Sequence, residues 1–344
     1  MALNTTNANG SSAGTRNTIA GASSFYQTCQ APEILESFYC ETFVDRVTEG
    51  RRLQGIMDQN KLSYTFSKTS EPTVHGALLS NAEYNTPEMP TVNECTIRLG
   101  QMAYTNEKWD DETYKYMTKE GDSALRADRN MKTGNALAQK HMFDFMCFLG
   151  GQVNPCNEGL TAGKVSGAIN LGTRNSPIVL NANTVSTLPV KLHQVLDEQL
   201  LPMNRAMIIP SVVAMLLRTS KANTQANVGR GTKEYMASQC ADLANFAPCG
   251  DDIYQYTCMQ GVKNAANQTV FPVYYVWKSA LDTAYGMDRV NSGVFASDQS
   301  RGPLYHVSRN IIRYGFSSIY CQGVARAWVT VDPLWEDKAN CTSC

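Results

Sequence analysis

The four histidines are the first residues to consider for catalysis or metal binding. None lies three or four residues from another histidine or from a cysteine, the spacing that places two ligands on one face of a helix. Without such a neighbour, a histidine is more typical of a surface or packing position than of a metal centre. We therefore expect no metal site and no catalytic role at any of them, namely His75, His141, His193 and His306.

The adjacent acids Asp197 and Glu198 are the next candidates, because paired carboxylates can divide acid and base roles. Neighbouring residues on a helix point in different directions, so this pair is not expected to form a facing dyad. The sequence has no GxxxxGK[ST] phosphate loop, and its GxSxG string, GSSAG at residues 10–14, lies in a polar segment without the preceding strand that a nucleophile turn requires. These features predict a protein that is not an enzyme and that needs no cofactor.

A group of cations lies in the segments RTSKAN and NVGRGTK, at residues 218–223 and 227–233. The second segment lacks the preceding strand and the Lys-Ser/Thr ending of a phosphate loop. Two interpretations stay open for this region, a solvated flexible loop and a contact with an anion or a partner.

Eleven cysteines are spread along the whole chain, at positions 29, 40, 95, 147, 156, 240, 249, 258, 321, 341 and 344. The closest pair, Cys341 and Cys344, has no second pair or histidine near it, so no zinc site is expected. Cys147 lies in the apolar stretch FDFMCFLG and is expected to pack inside. This spread favours several separate disulfide cross-links over a single metal site.

The composition limits the possible partners. Only 18% of the 344 residues are charged, below the ~25% usual for soluble domains, and the net charge is −1. A sequence pI of about 6.4 is not that of a basic nucleic-acid-binding domain. The sequence has no apolar run of ~18 residues, and its first residues do not have the pattern of a secretory signal, so no membrane span is expected. The low charge suggests a surface that meets other protein.

The elements that would position these residues can be read from the hydrophobic pattern. A polar arm precedes a short helix after Pro32, and strands with period 2 follow. One strand places Leu62, Tyr64 and Phe66 on one face, and another places Cys95, Ile97 and Leu99 on one face. Because an isolated hairpin is marginal in water, this extended pair should lie on another part of the protein.

A long helical pattern follows, from Asp110 to Leu149, and the Gly150–Gly151 pair should end it. Asp110 or Asp111 could cap its start, and Gly121 and Gly134 predict interruptions or a kink. A nearly continuous helix of this length would act as a spine rather than as part of a compact bundle.

The stretch from Thr187 to Ser220 predicts a helix, a strand and a second helix. Thr187 could cap the first helix, with Pro189 in its first turn and a buried stripe of Leu192, Val195, Leu196 and Leu200. AMIIP reads as a short buried strand, and Ser211 should cap VVAMLLRT. Strands are also expected in the aromatic segments GDDIYQY and QTVFPVYYVWKSA, and near FSSIYC and ARAWVTV.

One motif in this unit resembles a known family. It consists of Leu196, Asp197, Glu198, Pro202, Arg205, the apolar run 207–209, Pro210 and the apolar positions 212–217. This order resembles the major capsid proteins of tailed bacteriophages with the Hong Kong 97 fold. The family usually has Gly before the arginine, where this chain has Asn204, a residue that also tolerates left-handed backbone.

The resemblance implies an α+β chain with the order of elements of that family. The divisions are an N-terminal arm at 1–54, an extended hairpin (E-loop) at 55–108, a P-domain with the spine helix at 109–184, a compact α/β A-domain at 185–304, and return strands of the P-domain with a C-terminal tail at 305–344.

The resemblance also implies a function and a set of partners. The chain would assemble with itself, as pentamers and hexamers, into an icosahedral shell around the phage genome, in the host cytoplasm and then in the virion. Decoration, portal, scaffolding or protease proteins are possible partners, and packaged double-stranded DNA would be contacted weakly and without specificity. Two alternatives stay open, an encapsulin-like compartment shell of the same fold and an α/β enzyme whose site is not recognised.

In the capsid interpretation, Arg205 and the Asp197–Glu198 pair would hold the turn or the edge of a neighbour. The alternative for these three is an ordinary surface salt bridge worth less than ~1 kcal/mol. The same interpretation implies disulfides between subunits, formed after assembly, at candidate positions near subunit contacts: Cys29, Cys40, Cys95, Cys341 and Cys344. The alternative is that all eleven cysteines are free thiols.

Overall fold

The structure is a computed structural model of the 344-residue chain, and it describes residues 32–52, 63–69, 89, 91–110, 123–218, 251–296 and 304–331. These residues form a mixed α+β fold, as predicted. The helices are α1 (Pro32–Glu41), α2 (Val44–Val47), α3 (Ser123–Gly151), α4 (Thr187–Asp197) and α5 (Ser211–Arg218).

The strands fall into three sheets. The first has the order β1 (Glu49–Arg52), β10 (Leu281–Ala296), β11 (Leu304–Ser318), β4 (Gln101–Asp110). The second has the order β5 (Ile178–Leu180), β12 (Val324–Val331), β9 (Thr269–Trp277), β6 (Arg205–Pro210), β7 (Asp252–Tyr256), with β8 (Val262–Lys263) paired to β9. The third is the antiparallel pair of β2 (Ser63–Thr69) and β3 (Val92–Arg98).

The long helix α3 is shorter at its start than the sequence predicts. Asp110 does not cap it, because Asp110 is the last residue of β4 and pairs with Tyr305 of β11. Asp111 and Gly121 lie outside the described residues. The helix begins at Ser123 and ends at Gly151, as the glycine pair predicts, and its 29 residues span about 44 Å.

Gly134 does not interrupt α3, although the sequence predicts a break there. A Cβ atom at this position would lie 1.9 Å from Ser37 Oγ and 2.5 Å from the main-chain oxygen of Ile34. The glycine therefore allows α1 to lie directly against α3. Beyond this crossing, Phe38 of α1 packs with Leu137 of α3 in one buried cluster.

Described residues pack on both faces of the four-stranded sheet. On one face, Ala103, Ile312 and Tyr314 pack toward α1 and α3. On the other face, β3 crosses close to β11, because a Cβ atom on Gly315 would lie 2.0 Å from the main-chain oxygen of Arg98. The base of the β2–β3 hairpin is buried here, through Ile97 and its neighbour Leu99.

The predicted alternation along β3 is confirmed. Ile97 is buried and Cys95 is half-buried, whereas Glu94, Thr96 and Arg98 are exposed. On the partner strand, Ser63, Thr65 and Ser67 are exposed as well. One face of the hairpin, which includes Thr65 and Thr96, is therefore exposed in the single chain.

The six-stranded sheet holds the largest apolar cluster of the described residues. All six residues of β6 are buried, and helices α4 and α5 pack against the sheet through stripes that include Leu192, Val195, Leu196 and Leu217. The other face packs on Phe145 and Leu149 of α3. Strand β12 enters this sheet from near the C-terminus, between β5 and β9.

Two details of the α4 region differ from the sequence prediction. Thr187 is the first residue of α4 rather than its cap, and its hydroxyl donates to the main-chain oxygen of Thr184. Leu200 does not join the buried stripe, because the helix has ended and its side chain is 88% exposed. Strand β6 and helix α5, which begins at Ser211, occur where predicted. Across the described ranges, no helix combines the length and the hydropathy that crossing a membrane requires.

Candidate functional site

Arg205 is the centre of the predicted motif, and its side chain is only 1% exposed. It is the first residue of β6 and reaches back to the end of α4. Its Nη2 donates to the main-chain oxygen of Leu201 at 2.6 Å, and its Nε donates to that of Pro202 at 3.2 Å. Its Nη1 donates to the main-chain oxygen of His193 at 3.2 Å and to Asp197 Oδ1 at 2.7 Å.

These contacts make Arg205 a C-terminal cap of α4. The last carbonyls of a helix have no partner within the helix and carry partial negative charge, which a cation offsets. The planar guanidinium can serve several of them at once, whereas a lysine could not do so with the same geometry. The surface salt-bridge interpretation is therefore wrong for Arg205, because the guanidinium is buried and binds three main-chain oxygens.

A second polar group lies beside Arg205. His193 Nδ1 is 2.9 Å from Asp251 Oδ2 and 2.8 Å from the hydroxyl of Tyr275, which itself donates to Asp251. His193 Nε2 lies 3.4 Å from Asp197 Oδ2. Burial, followed by the bond to Asp251, raises the pKa of the Tyr275 hydroxyl far above its usual value.

This group has the residue types of a catalytic site but not its accessibility. The side chains of His193 and Asp251 are 9% and 2% exposed, and Tyr275 is fully buried. A tyrosine with a raised pKa is also a poorer nucleophile and base than usual at neutral pH. The arrangement fixes α4 and β9 to Asp251, the residue before β7. His193 takes a packing position, where the sequence predicts either a surface or a packing position.

The turn between α4 and β6, residues 198–204, is held in a restricted conformation. Asn204 has φ 97°, which confirms that it takes the left-handed backbone for which the family usually has Gly. Leu200 has φ 58°, an uncommon value for a branched apolar residue. Gln199 donates to Asn157 Oδ1 at 2.8 Å, and Asn157 donates to the main-chain oxygen of Gln322 at 2.8 Å.

Glu198 points away from Asp197, as predicted for adjacent helical residues. Its Oε2 accepts from the backbone N–H groups of Val165 and Ser166, each at 2.9 Å. These hydrogen bonds, first those of Ser166, lower the pKa of Glu198. Gly163 lets the loop approach, because a Cβ atom there would lie 2.5 Å from Glu198 Oε2.

The sequence did not single out Arg326, which makes a second cap of the same kind. Its Nη1 donates to the main-chain oxygen of Gly150, in the last turn of α3, at 3.1 Å. Its Nε donates to Glu158 Oε2 at 2.9 Å, and its guanidinium lies 5.1 Å from the ring centroid of Trp328. A cation inside the strand pattern ARAWVTV was the available signal, but its partners are far away in sequence.

The histidines and acids do not gather into a metal centre in the part of the chain that the structure describes. His141 is fully buried among aromatic rings, and burial lowers its pKa to about 3, so it is neutral near pH 7. His75 lies outside the described residues, and the side chain of His306 is not described.

Five of the cysteines are free thiols within the chain. Cys40, Cys147, Cys156 and Cys258 are exposed, and Cys95 is half-buried. The prediction that Cys147 packs inside is wrong, because it lies on the outer face of α3 while Phe145 and Leu149 face the core. Of the other disulfide candidates, Cys29, Cys341 and Cys344 lie outside the described residues.

Comparison with known proteins gives a likeness of fold only. No protein-family model matches the sequence, and no curated protein matches it. The solved structure of Mycobacterium phage Che8 is similar over 86% of this chain and 92% of that chain, with 15% identity and a TM-score of 0.50.

Two further similar structures are capsids. The capsid structure of cyanophage P-SCSP1u has 14% identity over 85% of this chain and 88% of that chain, with a TM-score of 0.49. The mature capsid of bacteriophage PhiM1 has 13% identity over 84% and 87%, with a TM-score of 0.46. The resemblance to phage capsid proteins that the sequence predicts is confirmed as a likeness of fold.

Proposed function

We propose that this chain is a structural shell protein, the major capsid subunit of a tailed phage, which assembles with itself into an icosahedral shell around the genome. The observation that carries this proposal is the fold shared with the Mycobacterium phage Che8 structure over nearly the whole of both chains. The shell would consist of pentamers and hexamers, and it would be found in the virion after assembly in the host cytoplasm.

The buried polar centres support a structural role over a catalytic one. Arg205 and Arg326 each bind main-chain oxygens at the end of a helix, and His193, Asp251 and Tyr275 bind one another. Each group binds partners within the fold, and Arg205, His193, Asp251 and Tyr275 are buried. These contacts fix the orientation of helices, which a subunit needs in order to present the same surfaces in every copy.

The Hong Kong 97 divisions are part of the proposal. Residues 55–108 would be the E-loop, with α3 as the spine helix of the P-domain at 109–184 and the six-stranded sheet largely in the A-domain at 185–304. The β2–β3 pair supports the first assignment, because it is attached to the rest of the chain through a buried base at Ile97 and Leu99. The rest of the hairpin would then lie on an adjacent subunit.

Contacts with DNA and with other virion proteins are proposed only in general form. The net charge of −1 gives little drive for tight binding to a polyanion, so packaged DNA would be held weakly and without base specificity. Decoration, portal, scaffolding or protease proteins would dock on the assembled shell or its precursor.

Disulfides between subunits remain a proposal for the exposed thiols. Cys40 is exposed and Cys95 is half-buried, and neither is bonded within the chain, so both are candidates for a bond to a neighbouring copy. A bond requires Cα atoms within about 7 Å, which only the assembled shell could provide for residues on different chains.

The test is expression of the full chain, followed by size-exclusion chromatography and electron microscopy. Uniform closed particles are expected, and a small soluble species under all assembly conditions would contradict the proposal. The contents then separate a capsid from an encapsulin-like compartment, because nucleic acid is expected in the first and a cargo protein in the second. A deletion of residues 68–90, the hairpin tip, should leave soluble protein that no longer forms particles.

A further inference from the structure

The turn at residues 198–204 displays large apolar side chains to solvent. Leu200 is 88% exposed and Met203 is 62% exposed. Val165, whose backbone is held at this turn by Glu198, is 80% exposed. We call the surface of Val165, Leu200 and Met203 the corner patch. Isolated exposed apolar residues are ordinary on proteins, but a group of them at one place indicates a contact surface.

Leu200 of the corner patch takes an uncommon backbone conformation. Leu200 has φ 58°, where a Gly or Asn would be more stable than a leucine. The turn keeps this conformation because the backbone N–H groups of Leu200 and Leu201 donate to the main-chain oxygens of Asp197 and Leu196 at the end of α4, and because Arg205 binds the main-chain oxygens of Leu201 and Pro202. The end of α4 thus fixes the backbone of the turn, whereas the exposure of the Leu200 side chain is unfavourable in the isolated chain.

The charges at this turn are already engaged within the chain. Asp197 pairs with Arg205, and Glu198 accepts two backbone N–H groups of the 163–167 loop. The corner patch therefore offers apolar contact rather than a carboxylate for a cationic partner.

We propose that the corner patch is a contact between copies of this chain in the assembled shell, an inference that rests on the proposed function. Three side chains supply much less than the ~800 Å² per partner that a stable pairwise interface buries. A contact of this size cannot hold a free dimer, but it adds stability where many identical copies present it together in a closed ring. This favours further copies of the chain over a separate one-to-one partner.

The experiment compares assembly of the full chain with that of the double variant Leu200→Asn, Met203→Ser. Asn suits the backbone at position 200 and Ser is tolerated at the exposed position 203, so the subunit should fold normally. We expect the critical concentration for particle formation, measured by sedimentation velocity, to rise at least tenfold. Val179→Thr is the matched control, because Val179 is a 50% exposed apolar residue at the sheet edge. The control should assemble as the natural chain does.

Three other outcomes would each overturn the inference. Particles of the double variant at the natural critical concentration would refute the corner patch and leave the proposed function intact. A lowered urea midpoint of the unassembled double variant would show that the patch is covered within its own chain, which also refutes the inference. A natural chain that forms no particles at all would refute the proposed function and this contact with it.

Discussion

Arg326 of β12 donates a hydrogen bond to the main-chain oxygen of Gly150 in α3, although 176 residues separate them in the sequence. The same guanidinium pairs with Glu158, just beyond the helix, and lies over the ring of Trp328. An arginine on a strand near the C-terminus thus caps the end of the longest helix of the described chain. Arg205 does the same for α4 from β6, so two helices that pack on the six-stranded sheet are each fixed by an arginine from it.

Replacing Arg326 should show that the cap and the ion pair act together. We expect Arg326→Met to lower the free energy of unfolding by about 1–3 kcal/mol, because it leaves the Gly150 oxygen and Glu158 without their donor. A double-mutant cycle with Glu158→Gln, measured by urea unfolding of the unassembled subunit, should give a coupling of about 1 kcal/mol. Strictly additive effects would contradict a shared interaction.

Arg205 is expected to be the more costly of the two arginines to replace. Arg205→Met should destabilise the subunit by about 3–5 kcal/mol, because its acceptors at the end of α4 would lose a buried charged partner. Arg205→Lys should recover only part of this loss, since an ammonium cannot reproduce the fork of donors. The exposed Lys164→Met is the control and should change the urea midpoint very little. A midpoint for Arg205→Met equal to that of the control would refute the cap.

The crossing of α1 and α3 depends on the absence of a side chain at Gly134. Gly134→Ala should destabilise the subunit despite the better helix propensity of alanine, because its Cβ would overlap Ser37 Oγ and the Ile34 oxygen. The matched control is Gly151→Ala, at the end of the same helix, where nothing lies within 4 Å of the added atom. The control should be neutral or stabilising by up to about 1 kcal/mol. Adding Ser37→Ala should recover only part of the Gly134→Ala loss, since the Ile34 oxygen remains.

His141 should make the stability of the subunit depend on pH. It lies among the rings of Phe38, Tyr285, Tyr314 and Phe316, and burial lowers its pKa from 6.5 to about 3, against a smaller raising effect of Asp144. Below pH 6.5 the unfolded chain therefore binds a proton that the folded chain does not. Its contribution to stability is complete above pH 6.5 and is lost as the pH falls toward 3.

The measurement is urea unfolding of the unassembled subunit at pH 7 and pH 5, for the natural chain and for His141→Leu. From pH 6.5 to pH 5 the natural chain should lose about 2 kcal/mol more than the variant, at 1.36 kcal/mol for each pH unit. Carboxylates elsewhere titrate in both proteins, so their effect cancels in the comparison. Equal losses in the two proteins would show that His141 is not the buried neutral group described.

The exposed cysteines predict a difference between assembled and free protein. Purified particles, with thiols blocked before denaturation, should give ladders on a non-reducing gel that collapse with reductant to the 37.9 kDa chain. Cys40→Ser and Cys95→Ser should shorten the ladders if these residues pair between copies, whereas Cys147→Ser is the control for an exposed thiol outside the candidates. A single monomer band from intact particles would refute the bonds between subunits.

The local pattern of the sequence was enough to predict many of the elements. Alternation in TVNECTIR predicted β3 and its buried face, the apolar run after Arg205 predicted β6, and the glycine pair predicted the end of α3. These predictions succeed because period and turn chemistry depend on residues close together in the chain. Asn204 was also interpreted correctly, since a left-handed residue before Arg205 is a local requirement.

The tertiary structure decided where the charged residues lie and which glycines matter. For Arg205 the sequence left open whether it holds the turn, contacts a neighbour or forms a surface salt bridge, and its burial decided against the last. Gly134 was predicted to interrupt or kink the helix, whereas it lies where α1 contacts α3. Cys147 looked internal because its neighbours are apolar, but the orientation of α3 turns it outward. These outcomes depend on pairs such as Gly150 and Arg326, which are distant in sequence. Burial, close approach and the satisfaction of buried polar groups are properties of such pairs, so no local pattern in the sequence contains them.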